Sequence, residues 1–158
     1  MVLATLHTNG APGALNRLTD MGVEPFLTSS VTPSAVDGVI AQRLTRRLCE
    51  RCKEPAEVEK EILAGIRFPF EHVSEVGLRF HKAVGCDRCG GTGYRGCIGI
   101  YVHMIVTEKT KKMILRHASP SEVQRATEEE GMVQTRSDGL LKAAEGVTTE
   151  EVVLRTVV

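Results

Sequence analysis

The sequence predicts a mixed α/β chain, α+β when taken as a fragment, in three parts: residues 1–48, 49–97 and 98–158. Three observations carry this. An apolar run at Val2–Leu6 is followed at once by helix-period segments, the pattern of the end of an α/β domain. Two Cys-x-x-Cys pairs, Cys49/Cys52 and Cys86/Cys89, bound a middle section too small to fold on a core of its own. A strictly alternating run then leads into a helical tail rich in capping signals.

The elements follow in order. Val2–Leu6 is a short buried strand that begins directly after Met1, so a piece of a longer chain is expected. In "APGALNRLTDMGV", Ala11, Ala14, Leu15, Leu18 and Met21 recur at helical spacing, and Gly22 is a natural stop. "VTPSAVDGVIAQRLTRRL" reads as a second helix. Thr32 caps it, Pro33 fits its first turn, Val36, Val39, Ile40 and Leu44 form its apolar stripe, and Arg43, Arg46 and Arg47 form a basic end. "KEPAEVEKEILAGI" holds a short acidic helix, and "LRFHKAVG" is a strand leading to the second Cys pair. In "CIGIYVHMIVT", Ile98, Ile100, Val102, Met104 and Val106 point one way, a strand with one buried face. Thr107–His117 is a helix. Ser119, Pro120 and Glu122 open the next as a capping box, "TRSDGLLKAAEG" is a third ended by Gly146, and Thr148 with Glu151 caps a last one.

Composition narrows the class. The 158 residues are 42% hydrophobic and 25% charged, ordinary for a globular protein. Formal net charge is zero and aromatics are 4%, so nothing supports a grip on nucleic acid. No apolar run approaches the roughly 18 residues of a membrane span. The N-terminus has no basic region ahead of a hydrophobic stretch, so no signal peptide is expected and the thiols should meet a reducing compartment. Five cysteines cannot form a closed disulfide set.

Two Cys-x-x-Cys knuckles suit a tetrahedral thiolate site. The gap of two residues lets both sulfurs of a pair face one ion, and Gly90, Gly91, Gly93 and Gly96 allow the backbone to pass close to sulfur. The rival readings are a redox dithiol, which usually stands alone at a helix N-terminus, and four unrelated buried thiols. Cys97 reads as a free thiol at a strand start. Four thiolates would leave no open position, so the metal would be structural.

"TLHTN", "RLTDMGVEPF", "GVIAQRLTRRLC", "CERC" and "GCDRCGGTGYRGCIGIY", in that order, resemble the C-terminal part of the motor ATPases of type II secretion and type IV pilus assembly. The resemblance covers about residues 2–106 and continues loosely into the tail. It implies a RecA-like ATPase core ending near residue 48, a tetracysteine zinc subdomain over 49–97 and a small C-terminal region. It implies a hexamer that is cytoplasmic, peripheral to the bacterial inner membrane, and engaged with an inner-membrane platform protein. It implies zinc on Cys49, Cys52, Cys86 and Cys89, and His7 as a catalytic-side residue near the γ-phosphate. ATP and Mg²⁺ belong to the full-length family member.

The departures from that pattern are specific. No G-x-x-x-x-G-K-[ST] occurs, and no strand ending in acidic residues precedes His7. Gly10 stands where the family would have Asp, and "SSVTPSAVDG" exceeds the usual link. This chain is therefore expected to be inactive toward ATP by itself. Without the resemblance, His7 reads as a loop-bonding residue and the three arginines as a solvated face; His72, His81, His103 and His117 show no ligand spacing. The alternative function is a free-standing zinc-ribbon module for protein or nucleic acid. "CDRCGGTG" also matches one repeat of the DnaJ-type chaperone zinc domain, which carries four.

Overall fold

The computed structural model describes residues 3–8, 10–24, 36–73 and 78–157. They fall into two compact units: Met1–Ala41 with Val102–Val133, and Gln42–Tyr101 with Gln134–Val158. In chain order the elements are α1 (Ala11–Asp20), β1 (Gly38–Leu48), β2 (Glu54–Pro55), α2 (Lys60–Gly65), β3 (His81–Lys82), β4 (Tyr94–Ile105), α3 (Glu108–Leu115), α4 (Pro120–Glu129), α5 (Thr135–Ala144) and α6 (Glu150–Thr156). The architecture is mixed helix and small sheet, consistent with α+β.

β1 and β4 pair with each other and each lends residues to both units. Val106 N donates to Asp37 O at 3.0 Å, and Cys49 N donates to Gly93 O at 2.9 Å. The residue after one strand thus meets the residue before the other at both ends, so the strands run antiparallel. β4 keeps the predicted alternation: Ile100, Val102 and Met104 are buried while Tyr101, His103 and Ile105 are exposed.

In the first unit, Ala11 and Leu15 of α1 are fully buried one turn apart. They meet Val102, Met104 and Val106, together with Met113, Ile114, Val123 and Ala126. Full burial of each large side chain stabilises by roughly 1.5–3 kcal/mol. Thr107 caps α3, its Oγ1 accepting from Thr110 N. α4 begins with the expected capping box of Ser119 and Glu122, and Pro120 opens its first turn.

In the second unit, Leu63 of α2 packs with Phe68, Phe80, Leu140, Ala143, Ala144 and Val153. Phe68 and Phe80 meet edge to face at 5.9 Å. Gly139 lets α5 lie against α6, since a Cβ there would sit 2.6 Å from Val153 Cγ1. β2 and β3 form a two-residue antiparallel pair, Glu54 opposite Lys82.

Three expectations are corrected. The helix over residues 33–48 is the strand Gly38–Leu48; Thr32 and Pro33 lie outside the described residues. Val36, Val39, Ile40 and Leu44 fit a helical stripe, but Val36 precedes the strand, Ile40 and Leu44 are exposed on it, and pairing with β4 overrides local spacing. The strand at Val2–Leu6 is absent over Leu3–Leu6, and Leu3 is 85% exposed; Val2 is outside the described residues. The last helix is capped by Thr149, whose Oγ1 accepts from Val152 N, and Thr148 serves elsewhere.

Candidate metal centre

The second unit gathers both Cys pairs. Cys49 follows β1 directly, and its carbonyl accepts from Cys52 N at 3.1 Å and Lys53 N at 3.0 Å. The other pair rides on a 3-10 turn, Asp87–Cys89, where Cys89 N and Gly91 N both donate to Cys86 O. Each two-residue gap is therefore folded into a tight knuckle that turns both sulfurs inward.

The four sulfurs lie within 4.8 Å of one another. Cys49 Sγ and Cys86 Sγ are 4.0 Å apart, Cys52 and Cys89 3.8 Å, and Cys86 and Cys89 3.8 Å. A Zn–S bond of about 2.3 Å in a regular tetrahedron requires S···S of about 3.8 Å. The donor set and its spacing fit a metal ion such as zinc, and four thiolates would close the coordination shell.

Backbone donors prepare the site. Cys86 N and Gly93 N donate to Cys89 Sγ at 3.1 and 3.2 Å. Two glycines permit this approach. At Gly85 (φ 110°) a Cβ would lie 2.4 Å from Gly91 O, and at Gly93 (φ 76°) 2.6 Å from Ala83 Cβ. Electrostatics splits the thiols. Desolvation raises Cys89, but the amides of Cys86 and Gly93 outweigh it and bring the thiol down to about 6. Desolvation, and then the neighbouring sulfurs, push Cys52 up to about 12 against the Gly85 amide. A cation at the centre is what would let all four sulfurs ionise together.

The site is wired into its unit by residues that spacing rules do not flag. Lys53 Nζ donates to Gly146 O at 2.9 Å and pairs with Glu50 Oε2 at 2.7 Å. The Lys53 hydrogen bond, against some desolvation, and the Arg47 guanidinium hold Glu50 below the usual carboxylate range. The Arg46 guanidinium lies 4.2 Å over the Tyr94 ring, and the Tyr94 hydroxyl meets Thr149 Oγ1 at 2.9 Å. Thr148 Oγ1 donates to Arg46 O at 2.7 Å, and Leu48 N to Val147 O at 2.9 Å. The only sequence hint for Lys53 was its place beside a Cys pair.

Other candidate residues stand apart from the cluster. Cys97 is an exposed thiol in β4. His7 is exposed in a segment without helix or strand, in the first unit. Among the described residues the four cysteines are the metal-competent group, and none of the histidines joins it. No helix among them is long and apolar enough to cross a membrane.

Comparison with known proteins agrees with the motif order. The family described as Type II/IV secretion system protein matches residues 1–155. The Type IV pilus assembly ATPase PilB of Thermus thermophilus is 42% identical over 158 residues, covering 99% of this chain and 17% of that protein. The Type II secretion system ATPase E of Vibrio cholerae is 41% identical, with 98% and 29% covered. The Type II secretion system protein E of Pseudomonas aeruginosa is 42% identical, also with 98% and 29% covered. The chain thus spans less than a third of the length of these relatives. A match along nearly its whole length, rather than over the cysteines alone, disfavours the free-standing zinc module, and the chain belongs to the type II/IV secretion system protein family.

Proposed function

We propose that this chain is the C-terminal part of a hexameric motor ATPase that powers type II secretion or type IV pilus assembly, with one structural zinc on Cys49, Cys52, Cys86 and Cys89. The observation that carries the zinc reading is the four-sulfur cluster at tetrahedral spacing, with two amide donors on Cys89. The relatives named as pilus-assembly and secretion ATPases support the motor reading.

In this reading the metal supplies no reactive position. The protein's own residues hold the knuckles in place: Lys53 ties the first to the turn at Gly146, and Cys49 N ties it to Gly93 beside the second. Loading the site converts two loops into a rigid part of the second unit. In the assembled motor, residues 1–48 close a RecA-like core, His7 stands on the nucleotide side, and the ring works from the cytoplasm against an inner-membrane platform protein. Phosphoryl transfer needs a phosphate cradle and a held Mg²⁺, and this sequence encodes no P-loop. The cradle then comes from the rest of the motor.

A chimera tests this directly. The chain replaces the matching C-terminal segment of the Thermus thermophilus pilus-assembly ATPase. The proposal predicts hexamers that hydrolyse ATP and loss of both in a Cys86→Ser, Cys89→Ser version. A chimera that folds, loads zinc and yet neither assembles nor hydrolyses ATP would overturn the motor reading.

A further inference from the structure

The first unit carries a second feature that the metal centre does not explain. A shallow groove of about 530 Å³ runs between α3 and α4, lined by Lys109, Lys112, Arg116 and Arg125, with Met113 and Ala126 at its floor. Its two acids, Glu122 and Glu129, are already engaged. Glu122 accepts from Ser119 N at 2.8 Å and Ser119 Oγ at 2.7 Å, completing the cap of α4. Glu129 pairs with Lys109 at 3.0 Å.

That leaves an unbalanced set. Among the described residues, Lys112, Arg116 and Arg125 form no ion pair with a carboxylate, although Lys112 helps to keep Glu108 ionised and Arg116 and Arg125 do the same for Glu122. All three are exposed, so burial did not select them. The chain as a whole has no net charge, so this is a local concentration and not a basic protein's average surface. Like charges around one groove repel, and a ligand of opposite sign relieves them.

The geometry points to an acidic peptide segment of a partner protein as the occupant. Arg116 and Arg125 can each fork onto a carboxylate, which favours side-chain carboxylates in an extended or helical segment. The apolar floor, Met113 at 6% and Ala126 at 7% exposure, asks for an apolar side chain between the acids. A flat layer of lipid headgroups meets the rim charges but not the floor. Single-stranded nucleic acid wants aromatic platforms, and no aromatic side chain lines the groove.

Fluorescence anisotropy tests it with the zinc-supplemented full chain. The probe is a labelled peptide alternating Glu-Glu-Leu, against the same peptide with Gln for Glu. The acidic peptide is expected to bind and the Gln peptide not to. Replacing Lys112, Arg116 and Arg125 together with Gln is expected to raise Kd about tenfold or more, as is raising salt from about 0.05 M to about 0.3 M. Circular dichroism checks that this variant folds; Lys111→Gln, one residue off the groove, serves as a second control and should leave Kd unchanged. Inorganic pyrophosphate and phosphatidylglycerol vesicles are run alongside. Equal binding of the Gln peptide, no effect of the triple substitution, or a preference for vesicles or pyrophosphate over the acidic peptide would each overturn the proposal.

Discussion

Two glycines with nearly the same φ separate conformational cost from steric cost at the metal centre. Gly91 has φ 75° and Gly93 has φ 76°, both in the left-handed region. A Cβ on Gly91 would meet nothing within 4 Å, whereas one on Gly93 would lie 2.6 Å from Ala83 Cβ and 3.0 Å from both Ala83 C and Cα. Alanine in this region costs roughly 1–2 kcal/mol in the folded state, offset in part by a less flexible unfolded chain, worth about 0.4–1 kcal/mol. Gly91→Ala should therefore destabilise by about 1 kcal/mol. Gly93→Ala carries the same cost plus overpacking of about 1–3 kcal/mol, because two of its neighbours are backbone atoms that cannot rotate away. Urea unfolding followed by circular dichroism at fixed free zinc gives both values. A double change, Gly93→Ala with Ala83→Gly, should recover only part of the loss. Equal losses for the two single substitutions would refute the close approach of Gly93 to Ala83, and with it the assigned fit of the second knuckle.

Other outcomes are checked as simply. Ser119→Ala should cost about 1 kcal/mol by uncapping α4, read from the same urea curves. The Ser119 hydroxyl and amide hold Glu122 below the usual carboxylate range, so its contribution is present above the unfolded-state value and lost as pH falls through the lower folded one. Glu122→Gln should flatten stability against pH in that acidic window, and an unchanged profile would contradict the capping box. Thr148→Val should destabilise by about 1–3 kcal/mol by stranding the Arg46 carbonyl. Thr149→Val and Tyr94→Phe should be non-additive by about 0.5 kcal/mol or more, because their hydroxyls bond each other. Incubated with ATP and Mg²⁺, the chain alone should release no phosphate above background; turnover that follows the protein through purification and disappears with it would show a phosphate site that the sequence does not reveal.

Where the sequence was legible, the chemistry of a few residues in a short motif settled the matter. Ser119, Pro120 and Glu122 can satisfy the first-turn amides of a helix by themselves, and they do. The alternation from Ile100 to Ile105 survives because β4 buries one face, and it fixed Ile100, Val102 and Met104 as core. The cysteine cluster was legible because two knuckles need few residues to aim four sulfurs. Where reading failed, the deciding partner lay far along the chain. Val36, Val39, Ile40 and Leu44 fit a helical stripe better than a strict alternation, and only the pairing with β4 makes Gly38–Leu48 a strand. Leu3–Leu6 is apolar enough for a strand, but a strand exists only against another edge, and no described residue pairs with it. Thr148 and Thr149 are both good caps. The Arg46 carbonyl claims the first and leaves the second for α6. Lys53 and Tyr94 escaped notice because their partners, Gly146 and Thr149, lie in a turn distant in sequence.

The metal content of the four-cysteine centre is the decisive measurement. Protein purified without added metal and analysed for elements and by native mass should carry one zinc ion per chain. Cobalt exchanged into the site should give the visible spectrum of a tetrahedral four-thiolate complex, and Cys86→Ser with Cys89→Ser should abolish both. A fully folded chain without metal, or one that keeps its zinc after those two cysteines are removed, would contradict it.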